Sequence, residues 1–232
     1  MIALLAPPSF PEPGRPAPDR RIVEPAIRIP AATGWLIAIN VLIHVLRYLA
    51  VRNSVLSPEQ DDALVNLLGF DPVNLEHPFR PATILSLITY QFIHGGWDHL
   101  AANMVSLLAF GPGIERPLGR TKFLAIYFLT GIVAALTQAA FTPAGVHDVL
   151  IGASGSISGV FGALIVVWGV HRRGQRPLGI VRMVLLWSVL MAITGILGVG
   201  ASGSPVAWIA HIGGFVAGIA FGFAFRPKTQ FE

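Results

Sequence analysis

The sequence contains no cysteine among its 232 residues. This absence excludes disulfide scaffolds, thiol catalysis, iron–sulfur clusters and zinc sites with cysteine ligands. Charge is also scarce, since Asp, Glu, Lys and Arg together make up 12% of the chain, against about 25% in a typical soluble domain. Apolar residues make up 53%. This composition indicates a membrane protein and excludes an ordinary soluble enzyme and a disordered protein.

Six stretches are long and apolar enough to cross a bilayer, which takes roughly 20 mostly apolar residues per helix. A further apolar run at 82–93 is too short to span, and we expect it to lie in the interface or to re-enter the bilayer. The sequence therefore predicts an all-α membrane protein with six transmembrane helices. The predicted spans are 32–51, 97–114, 122–141, 152–170, 178–200 and 205–225.

The basic residues predict the orientation of this bundle. Residues 1–30 contain eight prolines and four arginines and are predicted to be a disordered, solvated tail. The membrane domain is predicted at 31–226, followed by a short tail at 227–232. In this topology thirteen of the 16 Lys and Arg residues fall on one side. Because basic residues accumulate on the cytoplasmic side, we expect both termini to be cytoplasmic. The net charge of +4 has the same explanation, and no nucleic-acid partner is expected.

One connection is long. Residues 52–96 join the first two spans on the predicted external side, and a loop of that length is usually functional or structured. Its amphipathic pieces at 62–70 and 83–93 predict that it is partly embedded in the outer leaflet.

Polar side chains inside a span are costly and face the interior of the bundle. Span two begins with His99, Asn103 and Ser106, whose offsets of four and seven residues put them on one helix face. Span four opens with a run of glycine and serine that includes Ser154, and span six contains His211. These residues are the candidates for a polar site within the membrane.

The glycines of spans four and six are spaced to let two helix backbones approach closely. Gly155 and Gly159 form one pattern of small residues four apart, and Gly214 and Gly218 form another. If these two stripes face each other, the serine that heads span four and the histidine of span six come together.

The chemistry available to such a pair is acyl transfer. Serine is a poor nucleophile until a base takes its proton, and histidine is the usual base. Spans four to six contain no Asp or Glu, so a Ser–His dyad is possible but a triad with a carboxylate is not. Donors for a developing oxyanion are available in His99, Asn103 and the backbone N–H of Ser154. No sequence pattern for a metal site is present, and no cofactor is expected.

These motifs together resemble the rhomboid family of intramembrane serine proteases, over about residues 85–225. Each motif falls on the span, and in the order, that the family has. The Phe110-Gly111 and Glu115-Arg116 pairs also resemble the family. The motifs are His99-Leu-Ala-Ala-Asn103 on span two, Gly152-Ala-Ser154-Gly155 opening span four and Ala210-His211-Ile-Gly-Gly on span six.

The resemblance implies a six-helix rhomboid bundle that cleaves transmembrane protein substrates within the lipid bilayer. It implies that Ser154 is the nucleophile and His211 the base. It implies that His99 and Asn103 line the oxyanion hole together with backbone N–H groups. His94 matches a histidine that the family often carries near the active site and is expected to be structural. Span five is expected to be the lateral gate for the substrate helix.

The chain departs from the family pattern at two points. Leu85 and Ser86 stand where many members have Trp-Arg in the first loop. Ser158 stands where many members have an aromatic residue stacked on the catalytic histidine. Another group is therefore expected to orient the imidazole of His211, with a hydroxyl as one candidate. Ser156 and Ser158 are expected to serve packing or hydrogen bonding.

Two alternatives stay open beside proteolysis. One is a catalytically inactive rhomboid-like protein that binds transmembrane helices; the complete Ser154 and His211 pair argues against it. The other is a small transporter or channel, which predicts internal repeats and broken helices with central charges; the sequence shows no repeat and no acidic residue within the core of a span. The six-span layout without a seventh helix favours a multi-pass protein of the bacterial inner (plasma) membrane.

Overall fold

The computed structural model describes residues 29–171 and 208–226, together with Arg182 and Trp187. Nearly all of the predicted tail at 1–30, the predicted fifth span at 178–200 apart from these two residues, and the predicted tail at 227–232 lie outside the described residues. Within the described part, the chain forms α-helices and short 3-10 turns and contains no β-strand. The prediction of an all-α fold is confirmed for that part.

The helices are α1 (Ala31–Arg52), α2 (Pro58–Leu68), α3 (Pro81–Thr89), α4 (Trp97–Leu118), α5 (Arg120–Phe141), α6 (Ser154–His171) and α7 (Trp208–Phe225). Five of them, α1, α4, α5, α6 and α7, follow predicted spans, and their bounds differ from the prediction by at most four residues, at the end of α4. Three of the described helices, α1, α5 and α7, are long and apolar enough to cross a membrane. The apolar stretch of α6, Ser154–Gly169, is shorter.

Helix α6 lies at the centre of the described bundle and packs against α4, α5 and α7. Its Phe161 is fully buried, and the ring lies 4.9 Å from that of Phe110 on α4 and 6.0 Å from that of Phe215 on α7. Trp187, from the predicted fifth span, stacks on Phe161 and Phe215 at 5.5 and 5.1 Å. The apolar run of α6 is therefore buried by protein on several sides, which fixes the helix that begins with Ser154.

The start of α1 is held by a buried carboxylate on α4. Glu115 accepts hydrogen bonds from the backbone N–H of Ala32 at 2.8 Å, from that of Thr33 at 2.7 Å and from the Thr33 hydroxyl at 2.8 Å. The first N–H groups of a helix have no partner within the helix, and its N-terminus favours negative charge. A Cβ on Gly111 would lie 2.8 Å from Thr33 Oγ1, so glycine permits this close approach.

Replacing Glu115 with glutamine is expected to lower the free energy of unfolding by about 2–3 kcal/mol, because it removes the charge and turns an NH₂ group toward N–H donors. Titration with SDS in mixed micelles measures this free energy. Glu76→Gln is the matched control, since Glu76 is exposed. Equal stability of the two variants would contradict the capping role.

The long connection between α1 and α4 is structured, as its length predicted. It contains α2, a 3-10 turn at Pro72–Glu76, α3 and a second 3-10 turn at Tyr90–Phe92. Ser57 begins α2 with a reciprocal capping box to Gln60, which is a strong start signal for a helix. The short apolar run predicted at 82–93 is observed as α3 and the turn after it.

Candidate active site

The first two turns of α4 carry two of the candidate residues. His99 and Asn103 lie one turn apart, and the Asn103 side-chain amide donates to the His99 carbonyl oxygen at 3.1 Å. Asn103 is buried, as is Ser106 on the same face. An asparagine NH₂ group has two N–H donors, so one remains for another acceptor.

The loop before α6 brings its backbone against these two side chains. Gly152 has φ +105°, a conformation that residues with side chains rarely adopt. A Cβ on Gly152 would lie 2.6 Å from His99 Nε2 and 3.6 Å from Asn103 Nδ2. His99 and Asn103 therefore surround the chain two residues before Ser154, where only glycine fits.

Two backbone contacts fix this loop to the long connection. Gly152 donates its N–H to the Tyr90 carbonyl at 2.9 Å, and Phe70 and Leu150 exchange hydrogen bonds of 3.0 and 2.8 Å as an isolated antiparallel bridge. The segment that leads into Ser154 therefore has a fixed path.

The serine and the histidine meet as the glycine spacing predicted. Ser154 Oγ lies 2.7 Å from His211 Nε2, which is hydrogen-bond distance. Ser154 is the first residue of α6, where backbone N–H groups are free and the helix dipole favours negative charge. Ser154 is partly exposed, whereas His211 is buried. Within the described residues, no acceptor contacts His211 Nδ1, so no carboxylate there completes a triad.

The glycine stripes produce this contact. A Cβ on Gly214 would collide with the carbonyl of Gly155, and one on Gly218 would collide with the carbonyl of Gly159. The backbones of α6 and α7 thus touch along this crossing. Ser154 directly precedes Gly155, and His211 lies three residues before Gly214, so the crossing brings the two side chains together.

The remaining serines of the motif make other hydrogen bonds. The Ser158 hydroxyl donates to the Ser154 carbonyl at 2.8 Å, and the buried Ser156 hydroxyl donates to Gln91 Oε1 at 2.9 Å. Both serines have the hydrogen-bonding role that the sequence predicted. Because the Ser158 hydroxyl is directed at its own helix, it is not the group that orients His211.

His94 and His44 support the site from outside it. The His94 ring lies edge-on to His99 with centroids 5.1 Å apart. Burial is the main cause that lowers the pKa of His94 to about 3, and the neighbouring His99 is the second cause. The His94 side chain is therefore neutral near pH 7. The His44 ring packs edge-on against Trp97, at the start of α4, at 4.6 Å.

The residue that anchors the long connection is not among those predicted from the sequence. Arg47 on α1 pairs with both carboxylate oxygens of Asp61 on α2, at 3.0 and 2.9 Å, and donates to the His94 carbonyl at 3.0 Å. The anchor thus comes from α1, whereas Leu85 and Ser86 occupy the positions of the Trp-Arg pair. The available signal was an arginine inside an apolar span, where a charge is costly unless it is paired.

Within residues 29–171 and 208–226, no group of three or more His, Asp or Glu side chains is arranged to hold a metal ion. The polar side chains that the structure places at this site are those of Ser154, His211, His99 and Asn103.

Comparison with known proteins assigns the family. Residues 81–228 match the family model described as the Rhomboid domain. This chain belongs to the rhomboid family. Rhomboids are multi-pass membrane proteins, and the apolar helices of this rhomboid agree with that setting.

The curated relatives of this rhomboid include one named as a protease and one named as inactive. RHOMBOID-like protein 5 of Arabidopsis thaliana is 32% identical over 149 residues, 62% of this chain and 45% of the relative. Rhomboid protease GluP of Bacillus subtilis is 33% identical over 133 residues, 57% of this chain and 24% of the relative. Inactive rhomboid protein 1 of Drosophila melanogaster is 27% identical over 177 residues, 75% of this chain and 12% of the relative. This rhomboid thus spans less than half the length of each.

Proposed function

We propose that this rhomboid is an intramembrane serine endopeptidase that cleaves peptide bonds in or near the transmembrane segments of membrane proteins. The single observation that carries the proposal is the 2.7 Å contact between Ser154 Oγ and His211 Nε2. A serine hydroxyl at hydrogen-bond distance from an imidazole nitrogen is the arrangement that nucleophilic acyl transfer requires.

In the first step, Ser154 Oγ attacks the carbonyl carbon of the scissile bond while His211 Nε2 takes the hydroxyl proton. The new C–O bond pushes an electron pair onto the carbonyl oxygen. When that pair returns, the C–N bond breaks and the imidazolium gives its proton to the departing amine. The product of this step is an ester between Ser154 and the N-terminal part of the substrate.

The developing oxyanion is stabilised by donors around Ser154. His99 and Asn103 lie beside the backbone of Gly152, and the Ser154 N–H is at the start of α6. Prearranged donors of this kind contribute roughly 10²–10³-fold each to the rate of acyl transfer. These three groups are the oxyanion hole in the proposal.

In the second step, water attacks the ester carbon and gives a proton to His211 Nε2. The C–Oγ bond then breaks, the proton returns to Oγ, and the carboxylic acid leaves. Ser154 is partly exposed, which allows water to reach the ester. The substrate must unwind locally, because a membrane helix holds its carbonyls in hydrogen bonds.

The proposal includes the membrane arrangement. In this arrangement the protein has six transmembrane helices and cytoplasmic termini, and the connection between α1 and α4 is partly embedded in the outer leaflet. Phe79, at 89% exposure, and Leu67, Ile84 and Leu85 present apolar side chains on that connection, and burial in lipid removes this apolar surface from water. The proposed location is a bacterial plasma membrane.

A second candidate function is binding of transmembrane helices without cleavage. The match to the inactive Drosophila relative favours it. The hydrogen-bonded serine and histidine favour proteolysis, because binding alone has no use for an activated hydroxyl.

The two candidates differ in proteoliposomes that contain a single-span substrate. The proposal expects cleavage that EDTA does not inhibit, with none in a Ser154→Ala preparation. Crosslinking of uncleaved substrate to the wild type, without any product, would reject the protease and support the binding function.

A further inference from the structure

Gln138 connects the two halves of the candidate site. It lies in the last turn of α5 and is buried at 9% exposure. Its amide nitrogen donates to Asp148 Oδ2 at 2.7 Å, and its amide oxygen accepts the backbone N–H of Ala210 at 3.3 Å. Asp148 lies in the loop that leads to Ser154, and Ala210 immediately precedes His211.

The two partners need a side chain between them that offers both a donor and an acceptor. An ionised Asp148 can only accept hydrogen bonds, and the Ala210 N–H can only donate. Ala210 lies in the first turn of α7, where backbone N–H groups lack a partner within the helix. Glutamine offers one donor and one acceptor and satisfies both groups, whereas glutamate or leucine at 138 satisfies at most one.

Helices α5 and α7 are in close contact at this point. A Cβ on Gly213 would collide with the side chain of Thr137, so the helices already touch one residue before Gln138. A side chain at 138 therefore sets the position of the first turn of α7 relative to the loop.

We propose that Gln138 is a positioning residue for the Ser154 and His211 pair, which it aligns by holding Asp148 and the Ala210 N–H at once. This inference rests on the proposed function and names a residue that the serine–histidine motifs do not contain. If Ser154 and His211 are misplaced by about 1 Å, the catalysed rate can fall by about 10²-fold. We therefore expect the loss of this contact to lower kcat more than it changes KM.

The test compares kcat and KM for a single-span substrate in proteoliposomes. Gln138→Leu is expected to lower kcat at least about tenfold, because it removes both hydrogen bonds of the side chain, with KM within about twofold. Gln138→Glu is expected to lower kcat at least as much, since it sets two carboxylates against each other. Thr142→Val is the matched control: it removes the 3.0 Å hydrogen bond from the Thr142 hydroxyl to the backbone carbonyl of Gln138 but keeps the Gln138 side chain and its two partners. Its kcat is expected to stay within about twofold.

Exchanging the donor and the acceptor separates positioning from a general loss of structure. In Gln138→Glu combined with Asp148→Asn, the carboxylate accepts from both the new amide and the Ala210 N–H. We expect kcat to return to within about threefold of the wild type. The inference is overturned if Gln138→Leu has the kcat of Thr142→Val, or if the double variant is no faster than Gln138→Glu alone. An inert wild type would overturn the proposed function itself, and this inference with it.

Discussion

Replacement of Ser154 with alanine is expected to lower the rate of substrate cleavage by at least about 10⁴-fold, because it removes the hydroxyl that forms the ester intermediate. His211→Ala is expected to have a similar effect, since Nε2 lies 2.7 Å from Ser154 Oγ and takes its proton. Groups that act as a unit give non-additive losses, so the double variant should be no slower than either single variant. Single-turnover kinetics in proteoliposomes measures these rates.

The neighbouring serine provides the control for this prediction. Ser156 lies two residues away on α6 and donates to Gln91, so Ser156→Ala loses one buried hydrogen bond and is expected to keep at least about one tenth of the activity. Residual cleavage above about 1% in Ser154→Ala, or an equal loss in Ser156→Ala, would show that Ser154 is not the nucleophile.

Adding one methyl group at Gly218 is expected to lower the free energy of unfolding by about 3 kcal/mol and to remove activity. The new Cβ would collide with the carbonyl and Cα of Gly159, and backbone atoms cannot rotate away as a side chain can. Because this crossing brings Ser154 to His211, a shift of α7 separates them. Unfolding by SDS in mixed micelles and substrate cleavage are measured on the same preparation.

Gly34→Ala is the matched control for the helix crossing. Gly34 is also inside a helix, but a Cβ there would lie 3.7 Å from Ile29 Cγ2, an ordinary contact. Alanine is favoured over glycine in a helix by about 1 kcal/mol, so this variant is expected to be as stable as the wild type or more so. Gly218→Ala with the stability of Gly34→Ala would contradict the close approach of α6 and α7.

Much of the described fold could be predicted because apolar length and glycine spacing are local signals. The spans that became α1, α5 and α7 are continuous apolar runs, and the stripes at Gly155/Gly159 and Gly214/Gly218 predicted which helices touch. The end of α4 was placed four residues early, since the helix continues past Pro112 to Leu118, where charged residues lower the hydropathy.

The contacts that the sequence did not predict are polar and distant in the chain. Glu115 caps a helix that begins more than 80 residues earlier, and Gln138 bonds to Ala210 across 72 residues. The residues around Glu115 and Gln138 in the sequence do not indicate which distant residue each of them contacts. Arg47 could have been singled out as a charge within an apolar span. Its acceptors, Asp61 and the His94 carbonyl, are identified only in the folded structure.

The central claim is that His211 activates Ser154, and covalent labelling with a fluorophosphonate tests it most directly. The intact protein in proteoliposomes is labelled, digested and mapped by mass spectrometry, for the wild type and for His211→Ala. We predict an adduct on Ser154 of the wild type and none on His211→Ala, because the uncharged hydroxyl alone is a poor nucleophile. An unlabelled wild type, or an adduct on Ser156 or Ser158 instead of Ser154, would contradict the claim.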